Sequence, residues 1–138
     1  MLIIRQEQID RLTMGTDEEF VEFLVGHIKE DHPEIESERD DETLREMVRG
    51  GIKRAKSHKL KTAVDLTAFV SIMFEVAPNF DEQPQIKAAL DDKTFPPEER
   101  IERLWSPLVT EEAWEEAESN YDENAWFPER PKNESSDN

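Results

Sequence analysis

The sequence predicts an all-α protein: a compact orthogonal bundle of about six to seven short helices with an irregular C-terminal tail. Three observations carry that reading. Apolar residues recur at three- and four-residue steps in segment after segment, with almost no period-two alternation. Capping hydroxyls, prolines or glycines stand at the ends of those segments. A chain of 138 residues is also long enough to bury one core without covalent staples. The expected organisation is one helical domain over residues 1–120, followed by an acidic, Pro-, Asn- and Ser-containing tail over 121–138 that is partly disordered.

The first expected helix runs from Gln6 to Thr13 and stops at Gly15. The second starts at Thr16, with Glu19 three residues on completing a capping-box pattern. Phe20, Leu24 and Ile28, with Val21 and Val25 beside them, make one apolar stripe that runs to about Asp31 and ends at Pro33. Residues 34–42 read as a charged connector. The third helix, from about Asp41 to Lys56, carries Leu44, Val48, Ile52 and Ala55 on one face, with Met47 alongside. Gly50 and Gly51 in its middle each cost about 1 kcal/mol of helix propensity relative to Ala, so the pair marks a close helix crossing or a bend. Packing is the preferred role.

Thr62 and Asp65 give a cap signature for the fourth helix, Ala63 to Val76. It is the most apolar of the set and should be the central, most buried one. Pro78-Asn79 breaks it, and Phe80 is expected to tuck back onto the core. Pro84 suits the first turn of a short helix over Gln85 to Leu90. Pro96-Pro97 introduces another from Glu98 to Trp105, with Ile101, Leu104 and Trp105 inward. Thr110 caps a last helix to about Ser119, with Ala113, Trp114 and Ala117 on one side and acids on the other.

Thirty-four acidic residues against seventeen basic ones give a net charge of −17. That balance argues against nucleic-acid binding, because phosphate contacts come from Lys and Arg. It would speed encounter with a basic partner, but keeping the chain soluble is the commoner role of such a balance, and salt adaptation raises acid content as well. No run approaches the roughly 20 apolar residues of a membrane span, and Leu2 to Ile4 is too short for a signal peptide. The expected location is the cytoplasm, with no membrane partner. Seven bases cluster between Arg45 and Lys61, forming a ridge along the third helix that is expected to pair internally with acidic neighbours.

No catalytic constellation is legible, and the chain is read as a non-enzyme without cofactor or metal. The absence of cysteine removes any thiol chemistry. His27, Asp31 and His32 could meet at one helix end, but they lack the four-ligand spacing of a structural zinc site. Adjacent carboxylates such as Asp40-Asp41, Asp91-Asp92, Glu98-Glu99 and Glu115-Glu116 point about 100° apart on a helix and do not converge. Asp91-Asp92-Lys93 lacks the alternating ligands of a calcium hand. The candidate partner-binding residues are instead Trp114, Tyr121, Trp126 and Phe127 within an acidic rim of Glu111, Glu112, Glu115 and Glu116. For Trp126 and Phe127, pinning of the tail across the body competes with that role and is the preferred reading. Removing residues 121–138 is expected to leave the fold cooperative.

The segments LIIRQEQID, FVEFLVGHIKEDHPE, VRGGIKRAKSHKLKTAVDLTAFVSIMFEVAPNFDEQP and KTFPPEERIERLW follow one another in this order. Together they resemble a group of small helical proteins encoded among bacterial type VI secretion and related contractile-injection gene clusters, beside effector and spike-tip genes. The resemblance covers about residues 2–105 and is most specific from Gly50-Gly51 through Asn79-Phe80-Asp81. It departs at Ser57-His58-Lys59, where relatives often carry a Tyr-Gly pair, and the extension after Trp105 is less general. It brings no catalytic residue. What it implies is an adaptor or chaperone that holds an effector or spike component for loading, or an immunity protein that neutralises a toxin. A nucleic-acid mimic, its carboxylates imitating phosphates, is the alternative from a different class.

Overall fold

The computed structural model describes residues 17–127. They form seven α-helices and no strand: α1 Asp17–Asp31, α2 Ile35–Glu38, α3 Asp41–Ser57, α4 Ala63–Glu75, α5 Pro84–Leu90, α6 Pro97–Arg103 and α7 Glu111–Ser119. Two 3-10 turns, Phe80–Glu82 and Glu123–Trp126, complete the order. The expected helix over Gln6 to Thr13 and the Thr16 cap lie outside the described residues.

α1 buries its expected stripe of Phe20, Val21, Leu24, Val25 and Ile28. It ends where Pro33 supplies no further N–H, after a last bond from His32 N–H to the Ile28 carbonyl at 2.8 Å. The segment read as a connector contains one helical turn, α2. Its only apolar residue, Ile35, packs on the core, and a single apolar residue produces no period to read.

α3 starts at Asp40, whose carboxylate accepts from Thr43 N–H at 2.8 Å. α4 starts at Thr62, whose hydroxyl accepts from Asp65 N–H at 3.1 Å. α4 is the most buried helix, with Leu66, Phe69, Val70, Ile72 and Met73 all inside, and its most extensive contact is with α3. Of the glycine pair, Gly51 serves that contact. A Cβ at Gly51 would lie 3.0 Å from Met73 Sδ and 3.1 Å from Val70 Cγ2, so any side chain there would force those two to give way. Between the two helices Lys59 takes the left-handed conformation, φ 72°, at a cost of roughly 1–2 kcal/mol for a residue with a Cβ.

Phe80 is fully buried against Phe69, with ring centroids 4.9 Å apart. α5 is capped by Gln83, whose side-chain oxygen accepts from Gln85 N–H at 2.7 Å and Ile86 N–H at 3.1 Å, and Pro84 occupies its first turn. α6 ends at Arg103, two residues before its expected limit. Its core positions are taken by Ile101 and Leu104. Trp105, expected inward, is 63 % exposed: one residue past Leu104 the chain has turned by about 100°, away from the core. α7 starts at Thr110, whose hydroxyl accepts from Ala113 N–H at 3.2 Å, and buries Ala113 and Ala117.

The chain keeps packing on the body after residue 120, as far as Trp126 and Phe127. Asn79 bridges to it, donating to the Asn120 carbonyl at 3.0 Å and accepting from Asp122 N–H at 3.0 Å. Trp126 is 2 % exposed, with its ring centroid 4.5 Å from that of Phe74. Its indole N–H donates to the Tyr121 hydroxyl at 2.6 Å, and that hydroxyl donates to Glu123 at 2.9 Å. Arg39 pairs with Glu123 at 2.7 Å, tying the segment to the α2–α3 junction.

This packing makes the stability effects of several changes predictable. Trp126→Ala should cost about 3–5 kcal/mol by emptying a core position, read from urea unfolding, so removing residues 121–138 should lower the melting temperature rather than spare the fold. Gly26→Ala, where an added Cβ meets nothing within 4 Å, should stabilise by up to about 1 kcal/mol. Gly51→Val should destabilise by about 1–3 kcal/mol through overpacking.

Candidate functional site

Two clusters stand apart from the ordinary core. The first is a buried ion network at the end of α3. Arg54 and His58 lie one turn apart on that helix and its C-cap, and both reach Asp81 on the 3-10 turn. Arg54 Nε donates to both Asp81 oxygens at 2.9 Å, and its outer nitrogen reaches Glu82 at 3.0 Å. His58 Nε2 meets Asp81 at 2.7 Å and Nδ1 meets Asp91 at 2.9 Å. Lys87 reaches the other Asp91 oxygen at 3.2 Å. Arg100 of α6 closes the back of the cluster, donating to the carbonyls of Phe95, Leu90 and His58 at 3.1, 3.3 and 3.4 Å.

The protonation states follow from this geometry. A ring facing carboxylates with both nitrogens is held most strongly when both donate, which favours the imidazolium form of His58. Burial alone would push His58 down, but hydrogen bonds to Asp81 and Asp91, and their charges, outweigh it and raise its pKa above 6.5. Burial pushes Asp81 and Asp91 up, and the same partners, with Arg54 and Lys87, hold both below 3.8. Neither His58 nitrogen is left to take a proton from a substrate, so the arrangement is chemically a lock and not a general base.

The second cluster is an aromatic face between α6 and α7. Trp105 stacks on half-buried Trp114, with ring centroids 5.2 Å apart and planes 14° apart. Trp114 in turn stacks on buried Phe80 at 6.3 Å, so the exposed ring is held by a column of rings that reaches the core. Leu108 stands 54 % exposed in the connecting loop. Phe95 is covered by the Arg103 guanidinium at 3.7 Å.

The structure separates the residues expected to bind a partner. Trp114 supports the aromatic face, and Glu111, Glu112, Glu115 and Glu116 are exposed on α7 beside it. Trp126 is removed from the candidate surface by burial. Tyr121 is largely exposed but spends its hydroxyl on Trp126 and Glu123. Phe127 is half-buried, 6.0 Å from the Arg39 guanidinium. Glu116 accepts from Gln83 at 2.8 Å and borders a cleft of about 430 Å³ lined by Asn79, Glu82, Asn120 and Asp122 among others. Trp105 and Leu108, which the sequence reading left out, are the largest exposed apolar side chains of the face.

The three arginines of the basic ridge pair internally, as expected of the ridge. Arg45 bonds Glu22 and Glu42, Arg49 bonds Glu18, and Arg54 bonds Asp81 and Glu82. His27 lies 3.4 Å from Asp31, and His32 lies 3.7 Å from Glu34. No group of three or more potential metal ligands converges among the described residues, and none of the described helices is long and apolar enough to cross a membrane. No protein-family model, curated protein or solved structure matches the chain.

The ion network makes stability depend on pH from both sides. The contribution of His58 is complete below 6.5 and is lost as pH rises through its raised folded value. That of Asp81 and Asp91 is complete above 3.8 and is lost as pH falls through their lowered folded values. The melting temperature should therefore decline on the alkaline side of 6.5, and His58→Gln should remove that alkaline decline. Asp81→Ala, which leaves half-buried Arg54 with Glu82 alone and buried His58 with Asp91 alone, should cost about 1.5–3 kcal/mol at neutral pH.

Proposed function

We propose that this chain is a non-enzymatic, protein-binding accessory factor: an adaptor or chaperone that holds an effector or spike component of a bacterial secretion system. The observation that carries the binding reading is the exposed Trp105, stacked on Trp114 beside exposed Leu108. Covering such a ring on association gains about 2 kcal/mol from transfer alone, and tryptophans in this setting are the usual anchors of protein interfaces. The column running through Trp114 to Phe80 holds the ring in place, so little side-chain freedom is lost when a partner covers it.

The non-enzymatic part of the reading is supported by His58. It is the one histidine within a cluster of opposed charges, and both its ring nitrogens are committed to carboxylates. The secretion context rests on the resemblance over residues 2–105.

The test is affinity capture from the native host with the wild-type chain and with Trp105→Ala. The wild type should recover a secreted effector or spike component, and the variant should lose it while keeping its melting temperature. Recovery of neither by the wild type would sink the proposal. Deleting the gene should abolish delivery of the captured protein. Intact delivery combined with self-intoxication would replace the adaptor role by immunity.

A further inference from the structure

We infer that the exposed Trp105 ring is a receptor for a guanidinium, so that the partner docks through an arginine-bearing basic segment. This rests on the protein-binding reading above and specifies its chemistry. One face of the Trp105 ring stacks on Trp114, and the residue as a whole remains 63 % exposed. An aromatic face carries negative quadrupole density and attracts cations. A planar, weakly hydrated guanidinium stacks on it better than a compact ammonium does.

The charges around the ring select the same occupant. Glu102 lies one helical turn before Trp105, and Glu111 and Glu118 lie one turn either side of Trp114; all three are exposed. The two arginines of α6 are used internally: Arg100 is spent on three carbonyls and Arg103 covers Phe95. No cation pairs with the glutamates of α7 among the described residues. Among the described residues, the ring therefore lies beside carboxylates that no cation compensates.

A guanidinium laid on Trp105 would repeat the contact that Arg103 makes with Phe95 within the chain, with acids at hand for its N–H groups. Exposed Leu108 offers apolar surface to the arginine stem or to an adjacent apolar side chain. A second copy of the chain fits poorly, since it would bring another −17 of charge to an acidic face. Nucleic acid and anionic lipid are repelled for the same reason.

The experiment is a tryptophan-fluorescence titration of the full chain with three short synthetic peptides. They alternate leucine with arginine, with lysine, or with glutamine. The arginine peptide should quench the emission and bind about tenfold more tightly than the glutamine peptide, and more tightly than the lysine peptide. Added salt should weaken its binding. Trp105→Ala should lose about three- to fivefold or more in affinity. A combined Glu102→Gln, Glu111→Gln, Glu118→Gln variant, which removes charge and leaves packing in place, should lose affinity and much of the salt dependence.

Equal binding of the arginine and glutamine peptides would overturn the inference, as would unchanged binding by both variants. If the arginine peptide fails while Trp105→Ala still abolishes capture of the host partner, the guanidinium inference falls and the protein-binding reading stands. If the peptide binds as expected but Trp105→Ala leaves capture unchanged, the receptor stands and the proposed route of partner binding falls.

Discussion

A carboxylate that is 5 % exposed, Asp81, stays ionised in a folded chain only if cations are brought to it, and that requirement arranges half of the molecule. Arg54 and His58 come from the end of α3, and His58 recruits Asp91 from the end of α5. Arg100 then fixes α6 through the carbonyls of His58 and Leu90. Desolvation consumes much of the Coulomb gain in such a cluster, so its effect lies in arrangement more than in net energy. The α3–α4 pair fits closely because Gly51 lets Met73 and Val70 approach. The ion network sets how α5 and α6 sit against that pair, and through Phe80 and Trp114 it also positions the aromatic face.

The helices were legible because their local physics and tertiary roles agree. Thr62 and Thr110 cap where they were expected to, Pro84 starts α5, and the stripes of α1, α3 and α4 are the buried ones. The ion network was not legible. His58 stands in a run of lysines that reads as solvated, Asp81 stands in an acidic turn, and 23 residues separate them. No local pattern distinguishes a charge that meets a distant partner from one that meets water. α2 escaped for the opposite reason, having one apolar residue and no period.

The sequence reading puts Trp105 on the wrong side of the surface, whereas it leaves Trp126 open between pinning and anchoring, with pinning preferred, and Trp126 is pinned. Trp105 continues a helical period, so it reads as core, but α6 ends at Arg103 and Leu104 has already filled the inward position. Trp126 sits in a polar segment without period, so it reads as a possible anchor. Phe74 leaves room for a large ring, and the Tyr121 hydroxyl satisfies its N–H. Each residue is decided by volume available several elements away, which periodicity does not encode. The candidate surface, which already included Trp114 and the glutamates of α7, loses Trp126 and gains Trp105.

The net charge of −17 is also unevenly answered. Glu18, Glu22 and Glu42 meet arginines of α3, Asp41 meets Lys29, and Glu123 meets Arg39. α7 differs. Glu111 and Glu112 sit in its first turn, where the helix dipole favours them, but Glu115, Glu116 and Glu118 lie towards the end, where it does not. Glu111 with Glu115, and Glu112 with Glu116, are like charges four residues apart, each pair costing about 0.2–0.5 kcal/mol. Gln83 offers Glu116 a neutral donor only. The repulsion stored in α7 is thus not relieved within the described chain, and it is stored beside the most exposed tryptophan. Solubility alone gives no reason for these two features to coincide, whereas a basic partner seated on Trp105 would relieve the repulsion and cover the ring in one step.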